Sequence, residues 1–471
     1  MNMDRPTRIA FLSEHASPTA ILGGADAGGQ NVYVDEVSRN LACRGYTVDV
    51  FTRRDSIETP EIIEWGPGVR VIHLKAGPLQ PRPKDELWPF MPEFRDSFLE
   101  FMQRDEVHYD LLHGNFWMSG WVAVELRRRL GIPAIQIFHA MGKTKRRHQK
   151  KVDTSPGDRI KTEMEVIRQV DRLIAQCPNE RAELVDDYKA DPGKVVVIPS
   201  AVNTRVFKPV PREEARRRIG LSEEDNVIVY VGRMLPRKDI RNIVRALAVL
   251  LKQDTGSTNA SCWPITFLVV GGETEEPDPV ATPEIGELQQ LAAELGVTDF
   301  VRFVGKRQPN ELRYYYSAGD VTITTPWYEP FGLTPLESMA CGRPVIGSAV
   351  GGLTFTIKDG ETGFLVPPRN PQALAGRLHD LLTQPGLCEQ MGRAARARVE
   401  HEFTWPIVAM RTAALYDAVL AERQPETLLV ESLQSGWPHA DALNLVPTSH
   451  PGSKPSMLDD AFPGGRDLGA S

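Results

Sequence analysis

The chain has 471 residues, 41% hydrophobic and 25% charged, which is apolar side chain for more than one core and so for two or more domains. A formal net charge of −7 excludes a global basic field for nucleic acid or an anionic membrane surface, so any anionic ligand must be met by a local pocket. The five cysteines, Cys43, Cys177, Cys262, Cys341 and Cys388, are odd in number, far apart and without a C-x-x-C pair, which excludes a disulfide framework or structural zinc and fits a reducing cytoplasm.

The opening residues MNMDRPTRIAFLSEH lead straight into a strand-like segment, and no stretch reaches the ~18 apolar residues of a spanning helix. Neither secretion nor membrane integration is expected. Along the chain, short apolar runs alternate with longer helical patterns, the signature of a parallel sheet built from strand–helix–strand units. Residues 8–12 read as the first strand, the glycine-rich 23–29 as a loop, and 30–44 as an amphipathic helix stopped at Gly45. Residues 46–51, 69–74, 111–113, 134–138, 172–175 and 195–198 read as the further strands of one sheet. A second series follows at 226–231, 265–270, 301–304, 321–324, 344–347 and 363–366. The expected fold class is α/β, with two doubly wound Rossmann-like domains facing a central cleft. One domain is expected over 1–205, joined by a closing helix at 403–424, and a second over 206–402. Residues 425–471 hold six prolines and five glycines with no sustained period, a composition that reads as a disordered tail.

Ligands of such sheets bind at the carboxyl ends of strands, and four constellations fall there. After the strand at 321–324 comes Trp327-Tyr328-Glu329-Pro330-Phe331-Gly332-Leu333-Thr334-Pro335-Leu336-Glu337. Thr334 to Glu337 reads as a capping box with proline at the first helical position. The free N–H groups of that helix start suit a phosphate, and Gly332 lets the main chain approach it. Capping alone would explain Glu337, whereas Glu329 precedes the helix, and the two carboxylates are placed to accept hydroxyls of a sugar and a ribose. The second constellation is Gly232-Arg233 with Lys238, a guanidinium fork and a compact charge suited to a diphosphate. The third, Gly23-Gly24-Ala25-Asp26-Ala27-Gly28-Gly29-Gln30-Asn31, lacks the G-x-G-x-x-G spacing, and no acidic residue ends the second strand, which disfavours a nicotinamide enzyme. The fourth, Phe138-His139-Ala140-Met141-Gly142-Lys143-Thr144-Lys145, puts a histidine at a strand end. His108 and His113 have no metal-site spacing, so no metal and no cofactor are expected.

With these residues in view, the chain resembles a family-four glycosyltransferase of GT-B architecture over roughly residues 7 to 420. The Glu-x7-Glu signature in E-P-F-G-L-T-P-L-E, Gly232-Arg233 with Lys238, Gly351-Gly352, and Asp359-Gly360-Glu361-Thr362-Gly363-Phe364-Leu365-Val366 match in order. The resemblance implies that Arg233 and Lys238 neutralise the diphosphate, Glu329 contacts the transferred sugar, Glu337 the ribose, and His139 the sugar near the reacting carbon, with anomeric retention. Gly28, Gly29, Gly232, Phe331, Gly332, Leu333 and Thr334 are implied around the nucleotide sugar, and Asn31, Lys84 and Arg159 around the acceptor. Two subgroups are echoed. The Asp26 to Gln30 and His139 to Lys145 segments are similar to sucrose and sucrose-phosphate synthases, implying a hexosyl donor such as UDP-glucose and a sugar-phosphate acceptor. Leu12 to Pro18 and Trp117 to Gly120 are similar to inositol-phosphate glycosyltransferases. There the phosphate is held by a lysine, an arginine, a tyrosine and a threonine; Lys84 and Arg159 match the first two, while Phe116 and Ala140 stand for the last two.

Arg159-x-x-x-Glu163 places opposite charges one helical turn apart, where the glutamate orients the guanidinium toward the cleft; Arg146 and Arg147 read as solvated charge. The expected partners are a nucleotide-sugar donor and a small polar acceptor, with no nucleic acid and no integral membrane association, and oligomeric state left open. A nucleotide-sugar epimerase, a phosphorylase or a non-catalytic nucleotide-sugar sensor on the same architecture are the competing readings.

Overall fold

A strand covered on both faces reads as an unbroken apolar run, and that rule produces most of the two sheets. The computed structural model describes residues 5–19, 28–149, 153–254 and 264–422. The loop expected around Asp26 and the disordered tail expected over 425–471 lie outside the described residues. The first sheet contains β1 (Arg8–Leu12), β2 (Thr47–Arg53), β3 (Ile62–Gly66), β4 (Val69–Leu74), β5 (Leu111–Asn115), β6 (Ala134–Ile137), β7 (Arg172–Ala175) and β8 (Val195–Val197). Their order is β3-β4-β2-β1-β5-β6-β7-β8. All pairs are parallel except β3 with β4. The second sheet contains β9 (Asn226–Val231), β10 (Ile265–Val270), β11 (Val301–Gly305), β12 (Val321–Thr324), β13 (Val345–Ser348) and β14 (Gly363–Val366), parallel throughout in the order β11-β10-β9-β12-β13-β14.

Helices close both faces of each sheet. Phe94, Phe98, Trp117 and Leu126 pack on one side of the first; Val34, Val37, Trp405 and Tyr416 pack on the other. The last described helix, Trp405–Ala421, thus returns to the first sheet, where the Tyr416 hydroxyl meets His113 Nδ1. In the second sheet Ile243, Val244 and Leu247 cover one face and Leu336, Met339 and Val399 the other. Among the described residues no helix is long and apolar enough to cross a membrane.

What positions the site is a topological switch present in each sheet. β2 and β5 flank β1, and β10 and β12 flank β9. Connections leaving neighbouring strands in opposite directions open a crevice at their carboxyl ends. The segments after β1, β5, β9 and β12 border those two crevices.

Candidate active site

Between the sheets lies a cavity of about 790 Å³. Lys84, Phe116, Ala140 and Arg159 line it from the first domain, Arg233 and Glu329 from the second. Arg233 and Glu329 follow the ends of β9 and β12, and strained backbone occurs at the lining residue Phe116 and close by at His139, next to Ala140, and Asp239, two residues from Arg237. Phe116 (φ 77°), His139 (φ 59°) and Asp239 (φ 51°) occupy the positive-φ region, which costs of order 1–3 kcal/mol each for a side-chain-bearing residue and concentrates at functional sites.

In the second domain the chain leaves β9 through Gly232 and Arg233, then makes a short 3₁₀ turn, Pro236–Lys238. This turn puts Lys238 under the loop that follows β12. Its ammonium pairs with Glu329, and Arg237 Nη1 lies 4.0 Å from the same carboxylate. The Trp327 N–H donates to the Arg237 carbonyl at 2.9 Å, tying the two loops together. Burial opposes ionisation of Glu329, but Lys238 and Arg237 outweigh it and hold the carboxyl below its ordinary range. Burial likewise lowers the pKa of Lys238, with Glu329 restoring part of it.

The helix after this loop starts earlier than the sequence indicates. It spans Leu333–Ala340 with Gly332 as its N-cap at φ 94°, a conformation in which a Cβ would also lie 2.8 Å from Leu353 Cδ2. Because the left-handed glycine opens the helix, Thr334 and Pro335 fall inside its first turn, and the expected Thr334–Glu337 capping box does not form. Glu337 instead accepts the Tyr316 hydroxyl at 2.7 Å. Desolvation pushes its carboxyl up to about 7.

That shift carries a testable consequence. The folded chain keeps a proton on Glu337 that the unfolded chain releases above the ordinary value of 4.5. This contribution to stability is therefore full at low pH and is lost as pH rises toward about 7. Glu337→Gln, which keeps an acceptor for Tyr316, is expected to remove that part of the slope. Urea midpoints of the two proteins at about pH 5 and about pH 8 measure it; identical pH dependence would refute it.

On the opposite wall, His139 is clamped on both ring nitrogens, Nε2 to Asn115 Oδ1 at 3.1 Å and Nδ1 to Gln176 Nε2 at 3.3 Å. Asn115 Nδ2 donates to the His113 carbonyl at 3.3 Å, so its oxygen faces the histidine and accepts from Nε2–H. Nδ1 then accepts from Gln176. Burial holds the ring neutral, its pKa pushed down to about 3. Arg159 is 2% exposed. Its Nε donates to Glu163 at 2.8 Å, Nη1 to Ser155 Oγ at 3.2 Å and Nη2 to the Ala140 carbonyl at 2.6 Å, and its guanidinium lies 5.0 Å from the Phe116 ring centroid. Lys84 starts the turn Lys84–Glu86, next to Asp85, which lies 3.7 Å from Lys145.

Of the residues singled out in the sequence, the cavity brings together Lys84, Arg159, Arg233 and Glu329, with Lys238 bonded to Glu329 beside it. Other candidates sit elsewhere. Asn31 is buried, accepting the Gly28 N–H and donating to the Ser17 carbonyl, both at 2.9 Å. Gly29 meets the second domain directly, since a Cβ there would be 3.0 Å from Leu333 Cδ1. Arg237, Tyr328 and Glu180 are among the cavity residues to which the sequence assigns no role. Arg237 is masked there by the more conspicuous Lys238, Tyr328 by the neighbouring Glu329, and Glu180 follows no motif. Glu180 is 6% exposed, with Oε1 lacking a partner and burial pushing its carboxyl up to about 7.

Comparison with known proteins identifies the family. Residues 27–206 match Glycosyltransferase Family 4, and residues 211–398 match Glycosyl transferases group 1. The chain is 38% identical to the D-inositol 3-phosphate glycosyltransferase of Acidothermus cellulolyticus over 421 residues, 89% of this chain and 92% of that one. It is also 38% identical to the enzyme of the same name from Kineococcus radiotolerans over 430 residues, 89% and 97% of the two chains. Among solved structures, sucrose-phosphate synthase from Thermosynechococcus elongatus superposes with a TM-score of 0.78 at 34% identity, covering 88% of this chain and all of that one. Anabaena HepE, solved with UDP and glucose, shares the fold at a TM-score of 0.66 and 18% identity, covering 88% of this chain and 100% of its own. Two doubly wound domains, a cleft at both switch points and relatives matched along nearly their whole length together mean that the chain belongs to family 4 of the glycosyltransferases, with the GT-B architecture.

Proposed function

We propose that the protein transfers a hexosyl group, with retention, from a nucleoside diphosphate sugar such as UDP-glucose to a small phosphorylated cyclic polyol. The observation that carries this reading is the pairing of walls in one cavity. Lys84 and Arg159 stand on the first-domain side, Arg233 and Glu329 on the other. Cations on both walls suit two anionic groups, the phosphate of an acceptor and the diphosphate of a donor. The relatives named as D-inositol 3-phosphate glycosyltransferases favour inositol phosphate over the sucrose-type acceptor placed first on sequence grounds. A hexose phosphate is the second reading. It is favoured by Phe116 and Ala140, which line the cavity where the resemblance implies a tyrosine and a threonine, so two hydroxyl donors to a phosphate are missing.

In this reading the bond to the leaving diphosphate breaks first, and charge builds on the phosphate while the sugar becomes oxocarbenium-like. Arg233, Lys238 and the N–H groups at Leu333 and Thr334 are fixed charges and dipoles that stabilise it, the kind of preorganisation that supplies the largest catalytic effect in many enzymes. The departing phosphate takes the acceptor's proton on the same face, which retains configuration. Fixed cations then do the work of a metal ion, so activity is expected to survive dialysis against EDTA. Loss of activity restored by magnesium or manganese would refute this.

Mass-spectrometric screening of a donor panel against an acceptor panel tests the function. A glycosylated inositol phosphate, or failing that a glycosylated hexose phosphate, is the expected product. Donor turnover without any acceptor would identify an epimerase, and donor binding with no turnover a sensor.

A further inference from the structure

Glu329 is bracketed by two contacts from the opposite domain. Before it, the Tyr328 ring stacks on His148, with centroids 4.7 Å apart and planes at 21°, and its hydroxyl accepts from Gln149 Nε2 at 3.2 Å. After it, the Pro330 carbonyl accepts from the Cys177 thiol at 3.5 Å. The Tyr328 ring has a second partner, the Arg237 guanidinium 5.3 Å from its centroid. Arg237 Nη1, buried without a hydrogen-bond partner, is the atom 4.0 Å from Glu329. Tyr328 is thus held between an imidazole of one domain and a guanidinium of the other, one residue from the carboxylate of the donor site.

The helix that carries His148 and Gln149, Gly142–Gln149, is itself anchored to the acceptor wall. Arg147 Nη2 donates to Asp187 Oδ2 at 2.8 Å, Thr144 donates to Glu183, and the Gly142 N–H donates to Glu163 at 3.0 Å. Glu163 is the carboxylate that holds Arg159. A continuous set of contacts therefore runs from Arg159 through Glu163 and this helix to Tyr328, and from Tyr328 to Arg237 and Glu329. We infer that Tyr328 is a positioning residue, its ring clasped across the cleft by His148 on one domain and Arg237 on the other, which sets Glu329 and Arg237 for transfer when the two domains are closed.

This inference rests on the transferase reading for its kinetic consequence but not for its structural one. Tyr328→Leu removes both the ring and the hydroxyl, whereas Tyr328→Phe keeps the ring between His148 and Arg237. Loss of one stacked cationic contact corresponds to about a tenfold drop in kcat for Tyr328→Leu, with Tyr328→Phe within about twofold of wild type. The affinity for UDP, measured by calorimetry, is expected to stay within about twofold in both. Hydrogen–deuterium exchange supplies a readout independent of substrate. Peptides covering residues 327–334 should exchange faster in Tyr328→Leu than in wild type, with β9 peptides unchanged and Tyr328→Phe restored. Unchanged exchange over 327–334, or a Phe variant as impaired as the Leu variant, overturns the positioning role, as does a wild-type kcat in Tyr328→Leu. If the wild-type chain turns over no donor–acceptor pair, the transferase reading falls separately, and the exchange comparison alone decides the clasp.

Discussion

Lys238→Ala is expected to lower turnover at least ~100-fold, the scale seen when one fixed donor to a developing oxyanion is removed. The structure adds a complication, because Lys238 is also the partner of Glu329, and both side chains are largely enclosed, 15% and 13% exposed. Deleting one member of such a pair leaves the other desolvated and uncompensated, at a cost of about 3–5 kcal/mol when fully buried. A drop in activity in Lys238→Ala alone would therefore mix chemistry with stability. Two companions separate them. Arg233→Ala leaves the Lys238–Glu329 pair intact and should lose turnover on a similar scale with little change in urea midpoint. The double variant Lys238→Met, Glu329→Gln removes both charges together and should recover much of the stability without recovering activity. Wild-type-like turnover in folded Lys238→Ala and Arg233→Ala would remove this loop from the donor site.

The same loops show what a sequence can and cannot disclose. Strands such as Ile265–Val270 are legible because both faces are covered, so every residue is apolar or nearly so. β3 escapes this rule. It is an antiparallel edge strand whose residues are partly or fully exposed, with Glu64 among them, and it presents no unbroken apolar run. The helix begins at Leu333, before the start that Thr334 and Pro335 indicate, because a Thr-x-x-Glu spacing signals a cap only if the threonine has extended backbone, and a left-handed Gly332 takes that position first. Residues beside strand ends, such as Arg233 and Glu329, could be assigned to a cleft because the topology of a doubly wound sheet dictates where its loops converge. The partners of Tyr328 could not. His148 and Gln149 lie about 180 positions earlier in the chain, and only the angle between the two domains brings them to its ring. The Arg159–Glu163 pair is intermediate: its i, i+4 spacing is local, whereas the Ala140 carbonyl and Tyr188, which complete its surroundings, come from other elements.

Those surroundings define the second large effect, the loss expected in Arg159→Ala. A guanidinium has five N–H donors, and three are engaged here by Glu163, Ser155 and the Ala140 carbonyl. Two remain for the cavity that Arg159 lines, the number needed to meet a phosphate in a bidentate manner. Glu163 fixes the direction of the fork. It also accepts the Tyr188 hydroxyl at 2.6 Å and the Gly142 N–H at 3.0 Å. The pair is buried, however, 2% and 0% exposed, so Arg159→Ala alone leaves a carboxylate without its cation at a cost of about 3–5 kcal/mol. The double variant Arg159→Ala, Glu163→Gln is the companion that separates lost phosphate binding from lost stability. Charge-assisted hydrogen bonds contribute about 1.5–3 kcal/mol, which corresponds to a KM for a phosphorylated acceptor raised by roughly 10-fold to 150-fold. Donor affinity should be nearly unchanged, because the residues proposed to hold the diphosphate lie on the other wall. Arg159→Lys keeps the charge and loses the fork, and should fall between wild type and alanine. Steady-state kinetics with inositol phosphate, fructose 6-phosphate and their unphosphorylated counterparts, alongside calorimetry with UDP, measure all three. An equal loss of UDP affinity, or a wild-type enzyme that prefers unphosphorylated acceptors with Arg159→Ala leaving that preference intact, would show that the acceptor's phosphate is bound elsewhere.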